Sequence, residues 1–208
     1  MQLVTSAWTL ERVMKIQNIC VYCGSNSGRQ PEYIEHAQGF ARELVKRGLG
    51  LVYGGASVGI MGAVADTVMA EGGRVIGIIP EALMKKELAH RGLTELHVVQ
   101  SMHERKTLMA QKADGFVALP GGAGTLEEIF EIWTWAQLGM HQKPCGLLNI
   151  AGYYDLLGQF LNHTVDEAFM RPQHRAMLAI DHDPAALLDH FASYVAPTVS
   201  KWIAPGEH

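Results

Sequence analysis

Gly115-Phe116-Val117-Ala118-Leu119-Pro120-Gly121-Gly122-Ala123-Gly124-Thr125-Leu126-Glu127-Glu128 passes from an apolar run through a glycine turn into an amphipathic segment. The apolar run is short and closed by Pro120, as expected of a strand buried on both faces of a parallel sheet. After the turn, Leu126, Ile129, Phe130, Trp133 and Leu138 recur near helical spacing, with Glu127 and Glu131 on another face, which predicts a helix. Gly121, Gly122 and Gly124 therefore fall at a strand-to-helix turn. Glycine there permits positive φ and lets a ligand approach backbone N–H groups closely. A helix start has unpaired donors and a partial positive charge, which suits a phosphate. Thr125 to Glu128 also reads as a capping box, Thr125 at N-cap and Glu128 reaching back from N3. Three glycines ahead of it exceed what a cap alone requires.

Outward from this stretch the same alternation repeats. Strands are predicted over Ile16–Cys23, Leu49–Tyr53, Arg74–Ile79, Leu96–Val99 and Pro144–Ile150 besides the central one. Helices are predicted over Pro31–Arg47, from the Gly54–Gly62 loop to Glu71, from Ser101 as cap to Ala113, over Tyr153–Phe169 and over Pro184–Tyr194. No linker or composition break interrupts the series, so the expected architecture is α/β: one Rossmann-like, doubly wound parallel sheet flanked by helices. The domain is expected to span 14–196, with 1–13 an irregular extension and 197–208 a tail; Met14-Lys15 reads as the native start.

At 208 residues the chain can bury one sizeable core. A formal net charge of −4 without any Lys/Arg cluster argues against nucleic acid as a partner. No apolar run approaches the roughly 20 residues of a membrane span, and Met1–Val13 lacks the apolar core of a signal peptide. Three cysteines, Cys20, Cys23 and Cys145, form no disulfide framework, which suits the cytoplasm. Cys20-Val21-Tyr22-Cys23 has C-x-x-C spacing but lies in an apolar run without a second pair, so it reads as core.

Two further loops lie at expected carboxyl edges of strands, where open α/β sheets bind ligands. In Gly24-Ser25-Asn26-Ser27-Gly28, Ser25 can donate to a phosphate or ribose hydroxyl, or cap the next helix. Gly54-Gly55-Ala56-Ser57-Val58-Gly59 lacks the Gly-Lys-Ser/Thr ending of a Walker loop and is not G-x-G-x-x-G, which disfavours phosphoryl transfer and dinucleotide oxidoreduction. Pro80–Gly92 is a charged connection. Arg105 and Lys106 fall early in their helix, where the dipole disfavours cations and a bound anion would offset the misfit.

With the loops placed, Pro120-Gly121-Gly122-Ala123-Gly124-Thr125 through Glu128 resembles the P-G-G-x-G-T-x-x-E signature of the Lonely Guy (LOG) family. Met102-His103-Glu104-Arg105-Lys106 resembles its M-x-x-R-K segment, and Val21–Ser25, Tyr53-Gly54-Gly55 and Thr134–Gly139 look like family positions. The resemblance implies a Rossmann-like homodimer that hydrolyses cytokinin riboside 5′-monophosphates to free base and ribose 5-phosphate; some bacterial members look AMP-directed too. Carried over residue by residue, Arg105 and Glu128 match the catalytic pair. Glu87, Arg105, Lys106, Gly121, Gly122, Ala123, Gly124, Thr125, Leu126, Glu127 and Thr134 match nucleotide contacts, and Gly55 lies in the loop after Tyr53. Ala56 departs from a frequent third glycine, with an expected effect on ligand fit, and Ala123 is a variable position.

Cleaving an N-glycosidic bond builds positive charge on the ribose, which a carboxylate near the anomeric carbon stabilises while orienting or deprotonating water. Glu128 is the candidate. Arg105 could orient Glu128, contact phosphate or ribose, or aid departure of the base, and its fixed charge argues against a general-acid role. The scheme calls for no cofactor and no metal. A lysine decarboxylase would need a Schiff-base lysine in a convincing setting, and the sequence has none. A non-hydrolytic nucleotide or molybdenum-cofactor carrier of the same fold is the alternative; it would have no chemical reason to keep Arg105 and Glu128 together. Met61, Leu83 and Met102 are candidate pocket liners, and Trp133 and Trp135 are candidates for either core or a dimer face.

Overall fold

The computed structural model describes residues 16–84 and 89–197. Seven strands occur in chain order: β1 (Asn18–Tyr22), β2 (Gly50–Tyr53), β3 (Val75–Pro80), β4 (Glu95–Val99), β5 (Gly115–Ala118), β6 (Cys145–Leu148) and β7 (Leu178–Asp181). They make one parallel sheet in the order β4-β3-β2-β1-β5-β6-β7. The order reverses beside β1, which pairs with β2 on one side and β5 on the other. The helices are α1 (Glu32–Lys46), α2 (Gly59–Ala70), α3 (Glu81–Met84), α4 (Met102–Lys112), α5 (Ala123–Gln137), α6 (Asp155–Asp166), α7 (Pro172–Arg175) and α8 (Pro184–Ala192). The alternation expected from the sequence is a Rossmann-like single-domain fold.

Side chains alternate across each strand, so one strand feeds two cores. Ile19 and Val21 of β1 join Phe40 and Leu44 of α1, Ile60 and Val64 of α2, and Phe191 of α8. Cys20 and Tyr22 point the other way, into a core with Met109 of α4, Ile129 and Trp133 of α5, and Leu161 of α6. Cys23 packs with the first core and Cys20 with the second, so the C-x-x-C pair is divided between faces. Burial pushes the Cys20, Cys23 and Cys145 thiols well up.

Two expectations change. β7 and α7 are additional elements: only Leu178 of β7 is fully buried and α7 is a single turn, so neither leaves a periodic apolar pattern. Trp133 is core rather than interface, 1% exposed, with its Nε1 donating to His174 O at 3.0 Å.

Helix α4 is fixed at both ends. The Ser101 hydroxyl accepts from Glu104 N at 3.1 Å and the Glu104 carboxylate accepts from Gln100 N at 2.8 Å, a reciprocal cap. At its carboxyl end Lys143 Nζ donates to Ala110 O and Ala113 O at 2.8 and 2.6 Å. The helix carrying Arg105 thus holds a fixed place beside the reversal point. Among the described residues no helix is long and apolar enough to cross a membrane. Residues 1–15 and 198–208, covering the expected extension and nearly all of the expected tail, lie outside the described residues.

Candidate active site

Because β1 and β5 are neighbours that lead to helices on opposite faces of the sheet, their carboxyl-end loops part and leave a cleft. The loops are tied at its base: Gly24 N donates to Pro120 O at 3.0 Å, and Gly24 O accepts from Ile60 N at 3.1 Å. The cleft measures about 570 Å³ and is bounded by Gly24–Asn26, the 120–125 turn, Arg105 and Glu128. Met61, Leu83 and Met102 line it, as expected of them. So do Cys23 and Ile60, which leave its inner wall apolar.

The turn after β5 differs from its expected form. Helix α5 begins at Ala123 with Gly122 as N-cap, and no side chain caps it. Thr125 lies inside the helix and is 4% exposed, so it is not the cap. A Cβ on Gly121 would overlap the Thr125 hydroxyl and come within 2.8 Å of Gly24 N, which makes Gly121 a packing glycine. None of Gly121, Gly122 and Gly124 has positive φ, contrary to the expected use. Gly122 and Gly124 have nothing within 4 Å of where a Cβ would stand, so that side of the turn is open. The first turn of α5 carries no acidic residue, and its leading N–H groups have no acceptor within the helix. An uncapped, cation-like helix end therefore borders the cleft.

Arg105 and Glu128 meet across the cleft floor. Arg105 Nη2 lies 3.3 Å from Glu128 Oε1, with the side chains only 9% and 11% exposed. Arg105 Nη1 contacts Met102 Sδ at 3.7 Å, while its Nε is buried without a hydrogen-bond partner among the described residues. The guanidinium thus retains donors beyond the ion pair, in a setting of low dielectric where they act strongly. A Cβ on Gly54 would overlap Arg105 Nη2, so Gly54 makes room for the guanidinium. The charge of Glu128, after burial, also holds the Cys23 thiol well up. Cys23 lines the cleft as a thiol, not a nucleophile.

The other expected site residues divide between the cleft and its surroundings. Ser25, Ala123 and Glu127 border the cleft, whereas Gly55, Lys106, Leu126 and Thr134 are not in its lining. Gly55, at φ +78°, packs on Ile79. Lys106 Nζ pairs with Glu127 Oε1 at 2.7 Å and Glu131 Oε2 at 2.9 Å. Burial pulls its ammonium down and these two carboxylates outweigh it, so its pKa is raised. Carboxylates of α5 thus offset both cations that begin α4. Thr134 bonds back to Phe130 O at 2.7 Å. Ala56 is fully buried, bridges Ala89 and is absent from the cleft lining, so its departure from glycine acts on packing. Glu87 lies outside the described residues. Tyr33 and Tyr153, both lining the cleft, were missed by sequence reasoning. The adjacent tyrosines Tyr153-Tyr154 at a helix start were their only signal.

Residues 61–191 match the family model described as "Possible lysine decarboxylase". The chain is 46% identical over 184 residues to the cytokinin riboside 5′-monophosphate phosphoribohydrolase LOG7 of Arabidopsis thaliana, covering 88% of this chain and 85% of that one. It is 49% identical over 168 residues to the cytokinin riboside 5′-monophosphate phosphoribohydrolase LOG of Oryza sativa subsp. japonica, covering 81% of this chain and 69% of that one. The solved molybdenum cofactor carrier protein of Chlamydomonas reinhardtii superposes with a TM-score of 0.63 over 84% of this chain and 96% of its own, at 20% identity. That likeness shows a common fold alone. By its sequence identity to curated members across most of its length, and by the matching family model, the chain belongs to the LOG family.

Proposed function

We propose that this protein hydrolyses the N-glycosidic bond of cytokinin riboside 5′-monophosphates, and of AMP, to free base and ribose 5-phosphate. The observation that carries the proposal is the buried Arg105–Glu128 pair at 3.3 Å, beside an uncapped helix end in one cleft. Relatives bearing the phosphoribohydrolase name match over four-fifths or more of this chain. A carrier would use the cleft but not the pair.

In this reading the 5′-phosphate takes the N–H groups at the start of α5. Glu128 lies five residues into that helix from Ala123, about 8 Å along its axis at 1.5 Å per residue, a span of the order of a ribose 5-phosphate. Binding the non-reacting phosphate thus sets the anomeric carbon against the carboxylate. As the C1′–N bond breaks, its electron pair leaves with the base and positive charge grows on the ribose. Glu128 stabilises that charge and accepts a proton from the water whose oxygen bonds C1′. The departing base takes up a proton from solvent water, and Glu128 later returns its own to solvent, so that one water is consumed in all. Arg105 holds Glu128 in place through their ion pair, and its remaining donors face the substrate. Met61, Leu83 and Met102 give the base and its N6 substituent an apolar wall.

A cytoplasmic homodimer completes the proposal. The buried, free thiols suit a reducing compartment. Leu156, Phe160 and Phe169, 79%, 59% and 89% exposed, offer apolar surface that pairing could cover. A light-scattering mass of one chain at micromolar concentration would remove the dimer from the proposal.

Glu128→Gln keeps the shape and removes the charge. Base release from isopentenyladenosine 5′-monophosphate is expected to fall about 10²- to 10⁴-fold, with ribose 5-phosphate binding retained. Undiminished hydrolysis by the variant would overturn the role of Glu128, and an inert wild type that still binds nucleotide would leave the carrier. Gly54→Ala tests the seat of Arg105: its added methyl meets a movable guanidinium end, not backbone. Turnover is expected to fall by about tenfold or more, as for a misplaced catalytic group, with the melting temperature little changed; unchanged turnover would contradict the assignment.

A further inference from the structure

We propose that Tyr153 is a positioning residue for the phosphate end of the cleft, acting through the Gly121–Gly122 peptide; this rests on the phosphoribohydrolase reading above. Its hydroxyl donates to Gly121 O at 2.6 Å. In a trans peptide the carbonyl of one residue and the N–H of the next point in opposite directions. Anchoring the Gly121 carbonyl therefore fixes the direction of the Gly122 N–H, one of the donors at the open end of α5. Two successive glycines leave this peptide without a side chain to limit its rotation, and nothing among the described residues lies within 4 Å of where a Cβ on Gly122 would stand. The tyrosine adds a hydrogen bond that restrains the peptide's carbonyl. By drawing on the carbonyl it also makes the N–H of the same peptide a stronger donor.

Tyr153 is itself held firmly. The Ile150–Gly152 turn before it places Ala151 at φ 51° and Gly152 at φ 71°, and a non-glycine residue keeps such a conformation only when its surroundings fix it. They do so here: Asn149 Nδ2 donates to Asp155 Oδ1 at 2.6 Å and Asn149 Oδ1 accepts from Tyr154 N at 2.7 Å. The result is a pair of adjacent tyrosines anchored on alternate carbonyls, those of Leu119 and Gly121. Tyr154, buried, donates to Leu119 O at 2.7 Å at the end of β5, and Tyr153 reaches the turn itself. The Tyr153 ring makes edge contacts with Tyr154 and Tyr33, at centroid distances of 5.0 and 5.8 Å. Tyr33 in turn sits where a Cβ on Gly28, at φ +78°, would overlap it. A line of contacts thus joins the loop after β1 to the turn after β5, which the Tyr153 hydroxyl reaches at its last link.

Tyr153→Phe keeps the ring and removes that link. Affinities for ribose 5-phosphate and for ribose are measured by calorimetry, with KM and kcat for AMP and adenosine measured alongside. Ribose 5-phosphate binding and the KM for AMP are expected to weaken about tenfold, while ribose binding, the KM for adenosine and kcat for AMP change less than about threefold. Tyr154→Phe serves as the structural control: it is expected to lower the melting temperature and leave the preference for phosphate unchanged. Equal ribose 5-phosphate affinity in Tyr153→Phe and wild type, or parallel losses for phosphorylated and unphosphorylated ligands, overturns the proposal. So does failure of wild type to bind ribose 5-phosphate. An enzyme that binds ribose 5-phosphate with the predicted Tyr153 dependence but hydrolyses nothing keeps the positioning role and rejects the hydrolase.

Discussion

The pairing of β1 with both β2 and β5 is the constraint on which the site depends. It makes the strand order turn around at β1, so two successive carboxyl-end loops lead to helices on opposite faces of the sheet and a cleft opens between them. The hydrogen bond from Gly24 N to Pro120 O closes the floor of that cleft, and the absence of a side chain at Gly121 allows the loops to come so close. Everything chemical is hung from this junction: the open end of α5 follows Gly121 directly, and Glu128 follows on the same helix.

The second element of the site comes from α4, held by a reciprocal cap at one end and Lys143 at the other. An arginine in the first turns of a helix is unfavourable by the dipole alone. Glu128 offsets it, and since both side chains are nearly buried, removing Glu128 takes away the carboxylate that faces the Arg105 charge. Such a pair is an expensive way to hold two helices together. Its value here is that it fixes a nearly buried carboxylate at the cleft, the condition for stabilising charge that develops during a reaction.

The sheet and most helices were legible in the sequence because buried parallel strands leave continuous apolar runs, as Gly115–Leu119 and Leu49–Tyr53 do. An edge strand with one buried side chain leaves none, and β7 escaped for that reason. Arg105, Glu128 and the 120–125 turn, singled out in the sequence, meet at one cleft, but their local contacts were not legible. Thr125-x-x-Glu128 has the pattern of a capping box, yet Thr125 is spent packing against Gly121, and the capping pattern is used instead at Ser101 and Glu104. The sequence marks Lys106 as a nucleotide contact but does not announce its ion pairs with Glu127 and Glu131. Nothing local in Tyr153 announces that its hydroxyl will meet a carbonyl thirty-two positions earlier. Contacts of that kind arise from topology, which no local pattern encodes.

The central claim is that a non-reacting phosphate, seated on the start of α5, positions the glycosidic bond against Glu128. Its most direct test is base release by the wild-type protein from isopentenyladenosine 5′-monophosphate and from isopentenyladenosine, compared as kcat/KM. The account predicts a ratio of at least about 10² in favour of the monophosphate, the scale expected when binding energy of a remote group is used for orientation. Equal efficiencies for the two would contradict it.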